Sequence, residues 1–188
     1  MMRVVIALVA ILVTGSGSGS ASRARAIDEG ASATALRAAF MYNFAKFTEW
    51  PANVIPRDQP MVFCVTDDVA MAEALEQIVK GRAVGGHALA VRRVALDNGV
   101  RACHLLYASG LDAKRTSELL GAIDHLPVLT VGDFERFAQM GGVASFFVEE
   151  GKMRFAINID SAQRAGLRVS SKLLMLARIV RNGDDRTR

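Results

Sequence analysis

Two short β-rich runs around a glycine-containing turn constrain the fold of this chain more than any other feature. Residues 143–149 and 153–159 are rich in Val, Phe and Ile, which favour extended strands. Glu150, Gly151 and Lys152 lie between them and supply the polar break of a hairpin. The two runs therefore predict an antiparallel β-hairpin.

Two closing helices are predicted to follow this hairpin. Residues 161–166 form a short polar segment that ends on glycine, a common helix stop. Ser170 and Ser171 then open a second helix with a broad apolar face. Its apolar positions are Leu173, Leu174, Leu176, Ala177 and Val180; Leu173, Leu174 and Leu176, with Ile179, are expected to fill the core.

Upstream of the hairpin, apolar runs alternate with helical segments. Strands are predicted at residues 61–66, 87–95, 103–108 and 127–131, and helices at 34–48, 69–80, 112–123 and 133–140. Asp67 and Asp68 supply caps for the second of these helices, and Asp133 for the last. This alternation predicts a single α/β domain, with a mostly parallel sheet flanked by helices and the hairpin at one edge.

The amino terminus has the pattern of a secretory signal peptide. One early arginine precedes an apolar run at residues 4–13, and Ala24-Arg25-Ala26 gives an A-x-A cleavage site. The apolar run is too short to span a bilayer, although an anchor that stays attached is the alternative. We expect residues 1–26 to be removed on export, residues 27–33 to be frayed and residues 183–188 to form a disordered tail.

The net charge argues against nucleic-acid binding. Removal of Arg3, Arg23 and Arg25 with the signal peptide takes the net charge from +4 to +1. A nucleic-acid-binding protein needs a basic face that neutralises several phosphates. The remaining basic residues are scattered among nearly as many acidic ones, so no nucleic-acid partner is expected.

Export also bears on the oxidation state of the two cysteines, Cys64 and Cys103. Both lie in apolar runs that are predicted to be buried strands, and an oxidising compartment favours a disulfide between them. Closing a loop of about 40 residues would stabilise the fold by about 4 kcal/mol. Two free buried cysteines are the alternative; a metal-binding pair is less favoured because no His or Asp lies at ligand spacing.

No segment has the spacing of a catalytic or metal-binding motif. The three histidines stand alone, without an H-x-x-x-H or C-x-x-C pattern, and no G-x-S-x-G occurs. The acidic pairs at 67–68, 149–150 and 184–185 are explained as a helix cap, a turn and a solvated tail. We therefore predict no catalytic residue, no metal and no cofactor, and favour a binding or regulatory protein over an enzyme.

One segment is a candidate for ligand or partner binding. Arg164 and Arg168 lie just before Ser170 and Ser171, where a helix is predicted to begin. A helix amino end with free N–H groups and a nearby arginine can hold an anion. The alternative is that both arginines are surface residues whose stems cover apolar area.

Three segments resemble the YfiR-like family of periplasmic proteins. They are YNFAKFTEWP at residues 42–51, FCVTDD at 63–68 and GKMRFAINIDSAQRAGLRVSSKLLMLARIV at 151–180. The resemblance implies a homodimeric, non-enzymatic regulator that represses an inner-membrane diguanylate cyclase by binding its periplasmic sensory domain. It also implies an outer-membrane lipoprotein that sequesters the repressor.

The cysteines match this family only in part. Cys64 and Cys103 correspond to one cysteine pair of the family, but a second pair has no counterpart because residues 134–150 contain no cysteine. If the missing pair is the one through which the family responds to redox conditions, redox control does not extend to this chain.

The rival hypothesis is a periplasmic receptor for a small ligand, which would be an amino acid or a nucleotide-like anion. Such a receptor would use the Arg168 and Ser170 region and would feed a sensor kinase or transporter.

Overall fold

The computed structural model describes residues 18–96 and 98–182, which form ten strands, six α-helices and one 3-10 helix. The strands are β1 (Thr48–Glu49), β2 (Met61–Val65), β3 (Ala83–Val84), β4 (His87–Arg93), β5 (Leu105–Ala108), β6 (Leu129–Gly132), β7 (Ala144–Glu149), β8 (Lys152–Asn158), β9 (Arg168–Val169) and β10 (Arg178–Val180). The α-helices are α1 (Ser18–Lys46), α2 (Val69–Val79), α3 (Ala113–Ala122), α4 (Arg136–Gln139), α5 (Ile159–Arg164) and α6 (Ser171–Leu174), and the 3-10 helix is Asn98–Ala102.

Eight strands form the main sheet, in the order β10-β8-β7-β6-β5-β2-β4-β3. The five strands from β4 to β7 in this order run parallel, whereas β8 is antiparallel to β7 and β3 to β4. Every residue of β2, β5 and β6 is buried, as expected for strands covered on both faces. The predicted α/β fold with a mostly parallel sheet is confirmed.

Alternate residues of the central strands face two different hydrophobic cores. Phe63 and Val65 of β2 point into the larger core, together with apolar residues of α1 and α2. Val62 and Cys64 point into the smaller core, which α3 and α4 cover. Because successive side chains of a strand lie on opposite faces, one apolar run serves both cores.

The disulfide predicted from the cysteines lies in the smaller core. It joins Cys64 of β2 to Cys103, just before β5, with the two Cα atoms 5.7 Å apart. Both residues are buried among apolar neighbours. The bond therefore ties together two neighbouring strands at the centre of the sheet.

The predicted hairpin is present, but it does not lie at the edge of the sheet. β7 and β8 pair antiparallel, with Phe146 opposite Phe155. Glu150 and Gly151 both have positive φ angles, 50° and 71°, as a two-residue type I′ turn requires. β10 pairs with the outer side of β8 and takes the edge position instead.

Both closing helices are present, but the second is shorter than predicted. Ser170 caps α6 by accepting a hydrogen bond from the Lys172 N–H at 3.3 Å, yet α6 ends at Leu174. Leu173 is buried, whereas Leu176 is 73% exposed and Ile179 41% exposed, so the prediction that both fill the core is wrong.

Residues 178–180 are a strand rather than the end of a helix because β8 offers them an open edge. Ile179 and Val180 are β-branched and suit such an edge. Arg178 fixes their position, because its guanidinium lies 2.5 Å from both Glu135 and Glu149 and 3.8 Å from the centre of the Phe147 ring.

Two further expectations need correction. α1 begins at Ser18, so residues 27–33 are helical rather than frayed; helix α1 as a whole is rich in alanine, the strongest helix former. Asp133 does not cap α4, since its carboxylate accepts a hydrogen bond from Gly110 N–H instead. Residues 1–17 of the predicted signal peptide and the predicted tail at 183–188 lie outside the described residues.

Removal of the disulfide should lower stability strongly. We expect the Cys64→Ser, Cys103→Ser double variant to lose about 4 kcal/mol of unfolding free energy, because the bond closes a long loop in the unfolded chain. Urea denaturation measures this loss. The wild type under reducing conditions is the matched comparison, and a loss below about 1 kcal/mol would contradict the expectation.

His104 should make the fold sensitive to mild acid. Its Nδ1 accepts a hydrogen bond from Val62 N–H at 2.9 Å. Burial lowers the pKa of His104 below its ordinary value of 6.5; a hydrogen bond with the Val54 backbone opposes this effect, and His87 adds to it. The unfolded chain therefore binds a proton more readily than the folded protein does, so stability falls as the pH drops below 6.5.

The His104→Gln variant tests this pH dependence. Its amide oxygen can still accept from Val62 N–H, but it does not titrate. We expect the unfolding free energy of the wild type to fall more steeply than that of the variant between about pH 7 and pH 5, with parallel curves above about pH 7.5. Equal slopes in the acid range would refute the assignment.

Candidate partner-binding surface

The two longest segments that carry the family resemblance meet in a small ribbon outside the main sheet. β1 and β9 pair antiparallel, with Thr48 opposite Val169 and Glu49 opposite Arg168. The N–H of Ser170 donates to the carbonyl of Phe47 at 2.9 Å and extends the pairing by one bond. We call this two-stranded unit the β1–β9 ribbon.

A glycine-ended helix places β9 in the ribbon. At the end of α5, Gly166 N–H donates to Gln163 C=O and Leu167 N–H to Ala162 C=O, which is the Schellman pattern. Gly166 has a φ of 69°, and a Cβ there would lie 3.3 Å from Cγ of Pro51. The turn buries Leu167 in the larger core and brings Arg168 to the surface.

The outer face of the ribbon carries an exposed ion pair. Arg168 Nε lies 3.7 Å from a carboxylate oxygen of Glu49, and the two side chains are 85% and 75% exposed. Such a pair contributes at most about 1 kcal/mol to stability. The fold therefore does not need these two charged side chains for its stability, and both are accessible to a partner.

The inner face of the ribbon borders a pocket of about 300 Å³. Thr48 lines this pocket and is only 6% exposed, yet its hydroxyl has no hydrogen-bond partner. Trp50 forms part of the wall and is fixed by a hydrogen bond of 3.0 Å from its indole N–H to the Pro127 carbonyl. Apolar side chains such as Ile55 and Met61 complete the wall.

The two arginines of the predicted anion site have different partners. Arg164 donates to the Ser161 hydroxyl at 3.0 Å and lies 3.7 Å from Asp124, whereas Arg168 pairs with Glu49 on the ribbon. Ser170 and Ser171 lie at the start of α6, which has four residues and hence a small dipole. The roles of Arg164, Arg168, Ser170 and Ser171 in binding stay a prediction.

Thr48, Glu49 and Trp50 were not among the predicted site residues. They face partners that lie far away in the sequence, so no local spacing reveals them. The sequence signals for them are the resemblance of residues 42–51 to the family and the aromatic density of residues 40–50, which is more often typical of a core. Among the described residues, no three His, Cys, Asp or Glu side chains are grouped so that they could hold a metal ion.

Comparison with known proteins identifies the family. Residues 34–178 match the YfiR/HmsC-like family profile. The chain belongs to the YfiR/HmsC-like family. Both strands of the β1–β9 ribbon lie inside the matched range.

A solved structure, described as a conserved domain protein from Vibrio cholerae O1 biovar El Tor, shares 16% sequence identity with this chain at a TM-score of 0.46. The alignment covers 63% of this chain and 54% of the other, so this chain spans about half the length of that protein.

No curated protein matches the sequence. Within the described part of the chain, none of the helices has the length and apolar character needed to cross a membrane.

The unpartnered hydroxyl of Thr48 gives a stability test for this surface. Thr48→Val removes a buried polar group that lacks a hydrogen bond, so we expect the unfolding free energy to rise by about 1 kcal/mol. Thr116→Val is the matched control, because the Thr116 hydroxyl is buried and donates to Asp112 C=O at 2.7 Å. That variant should lose about 1 kcal/mol. Denaturant melts measure both, and a destabilised Thr48→Val protein would contradict the expectation.

Proposed function

We propose that this protein is a periplasmic repressor that binds the sensory domain of an inner-membrane diguanylate cyclase and thereby lowers cyclic-di-GMP. The supporting observation is the β1–β9 ribbon, which joins the two longest segments of family resemblance and presents an exposed Glu49–Arg168 pair. Charged groups at the rim of an interface mainly set orientation and partner choice. The ribbon is therefore the proposed contact surface.

Repression needs only a difference in affinity between two receptor states. A transmembrane cyclase that exchanges between inactive and active forms is biased towards the inactive form by a protein that binds this form better. A tenfold difference in affinity shifts the equilibrium between the states by at most about tenfold. No catalytic group is required in the repressor.

Two further partners belong to this proposal. The family resemblance supports a homodimer and an outer-membrane lipoprotein that sequesters the repressor. Sequestration would compete with the cyclase for free repressor and so restore cyclase activity by mass action.

A small-ligand receptor that feeds a sensor kinase or transporter is the second candidate. The observation that favours it is the pocket beside the ribbon, where the Thr48 hydroxyl is buried without a partner. The two candidates differ in a thermal-shift screen, since a ligand raises the unfolding free energy by RT ln(1 + [L]/Kd) and thereby raises the melting temperature. A regulator that acts through protein contact alone needs no such ligand.

Deletion of this protein should raise cyclic-di-GMP in the cell. We expect wild-type protein to restore the low level and Arg168→Glu to fail, because charge reversal places two acidic groups together on the ribbon. Arg115→Glu, on the exposed face of α3, is the matched control and should restore it fully. Mass spectrometry of nucleotide extracts gives the readout.

The partner itself is identified by a pull-down from native membranes with the exported protein as bait. Recovery of a diguanylate cyclase with wild type and its loss with Arg168→Glu would support the proposal. An unchanged cyclic-di-GMP level in the deletion strain would count against it. Full complementation by Arg168→Glu would instead overturn the ribbon as the contact surface while leaving the repressor role intact.

A further inference from the structure

A second pocket lies at the carboxyl ends of the parallel strands, apart from the β1–β9 ribbon. Its volume is about 230 Å³, and its polar lining includes Arg37 of α1 and Asp133, which directly follows β6. Its apolar wall includes Phe146, Phe147 and Met153 of the hairpin. Because Asp133 marks the carboxyl end of β6, we call this site the carboxyl-edge pocket.

Arg37 has unused hydrogen-bonding capacity in this pocket. Its Nε is buried and has no hydrogen-bond partner. Among the described residues, its guanidinium makes no ion pair or hydrogen bond, although Asp133 lines the same pocket. A partly exposed guanidinium without a partner favours an acceptor such as a carboxylate, which it can bind in a bidentate manner.

The negative charges of the pocket are not equivalent. Glu135 is already held by Arg178 at 2.5 Å. Asp133 accepts only a hydrogen bond of 3.3 Å from Gly110 N–H and forms no ion pair with a described residue. The pocket is therefore lined by one cationic and one anionic side chain, Arg37 and Asp133, that form no ion pair with a described residue.

A third polar group lies near these two charges. Tyr107 is only 1% exposed, and no described group forms a hydrogen bond with its hydroxyl. Burial raises the pKa of Tyr107, Asp133 raises it further and Arg37 lowers it. The Tyr107 hydroxyl therefore interacts electrostatically with both Asp133 and Arg37. It stays protonated and can donate a hydrogen bond.

We propose that the carboxyl-edge pocket binds a small zwitterion with an apolar body, which is the chemistry of a hydrophobic α-amino acid. The ligand carboxylate pairs with Arg37, and its ammonium group pairs with Asp133. The apolar side chain packs against Phe146 and Met153, which lie on the α1 side of the sheet. This site is independent of the ribbon and of the proposed repressor function.

Isothermal titration calorimetry of the exported protein tests the proposal with L-phenylalanine, L-leucine and L-methionine as probes. For L-phenylalanine there are two matched analogues: 3-phenylpropionate lacks the ammonium group and 2-phenylethylamine lacks the carboxylate. We expect at least one amino acid to bind. For L-phenylalanine, each analogue should bind about tenfold or more weakly, because one charge-assisted contact is lost.

Variants assign the two contacts. Arg37→Gln should weaken amino-acid binding by about tenfold or more without affecting 2-phenylethylamine, and Asp133→Asn should do so without affecting 3-phenylpropionate. Arg115→Gln, which changes an exposed arginine on α3, is the control and should bind like wild type. Thr48→Val should also leave binding unchanged, which separates this pocket from the one beside the ribbon.

Three results would overturn the proposal. They are no binding of any probe at about 10 mM, equal binding of L-phenylalanine and both analogues, and unchanged binding by a folded Arg37→Gln variant. Circular dichroism checks that the variants fold. If a variant does not fold, the analogue series on the wild-type protein still decides.

Discussion

The packing of α1 on the β-hairpin is the contact on which the rest of the structure depends. Phe44 is 1% exposed, and its ring centre lies 4.9 Å from Phe155 and 5.7 Å from Phe146. Phe40 adds a second contact, 5.5 Å from Phe155. Since β1 follows α1 directly, these rings also set the position of the ribbon. The same helix carries Arg37 to the opposite end of the sheet, so both pockets depend on how α1 lies on the hairpin.

The sheet itself is held from its other side by the disulfide. α3 and α4 cover the smaller core, where Cys64 and Cys103 join β2 to the entry of β5. These strands mark the point at which the strand order reverses, with β4 on one side and β5 on the other. A covalent link at this place keeps the two halves of the parallel sheet in register, while the carboxyl ends remain free to form a site.

The sequence correctly predicted those structural features that depend on residues close together in the chain. The hairpin turn at Glu150 and Gly151 and the caps at Asp68 and Ser170 depend on residues at most three positions away. The last strand was predicted as helix because its local sequence pattern is helical. Ile179 and Val180 instead pair with the open edge of β8, which no local pattern reveals. The ribbon was missed for the same reason, since Thr48 and Val169 become neighbours only in the folded chain. Arg164 and Arg168 are near each other in sequence, yet helix α5 and the turn at Gly166 give them different partners.

The position of β10 also has a consequence for how the chain reaches its folded state. Of the strands in the described residues, β10 comes last, and the outer edge of β8 has no other partner. An unpaired strand edge can pair with another chain. The outer edge of β8 can therefore associate with another molecule until β10 pairs with it and Arg178 forms its ion pairs with Glu135 and Glu149. The short final strand therefore protects the outer edge of β8 from intermolecular pairing, a role that its small contribution to the core would not suggest.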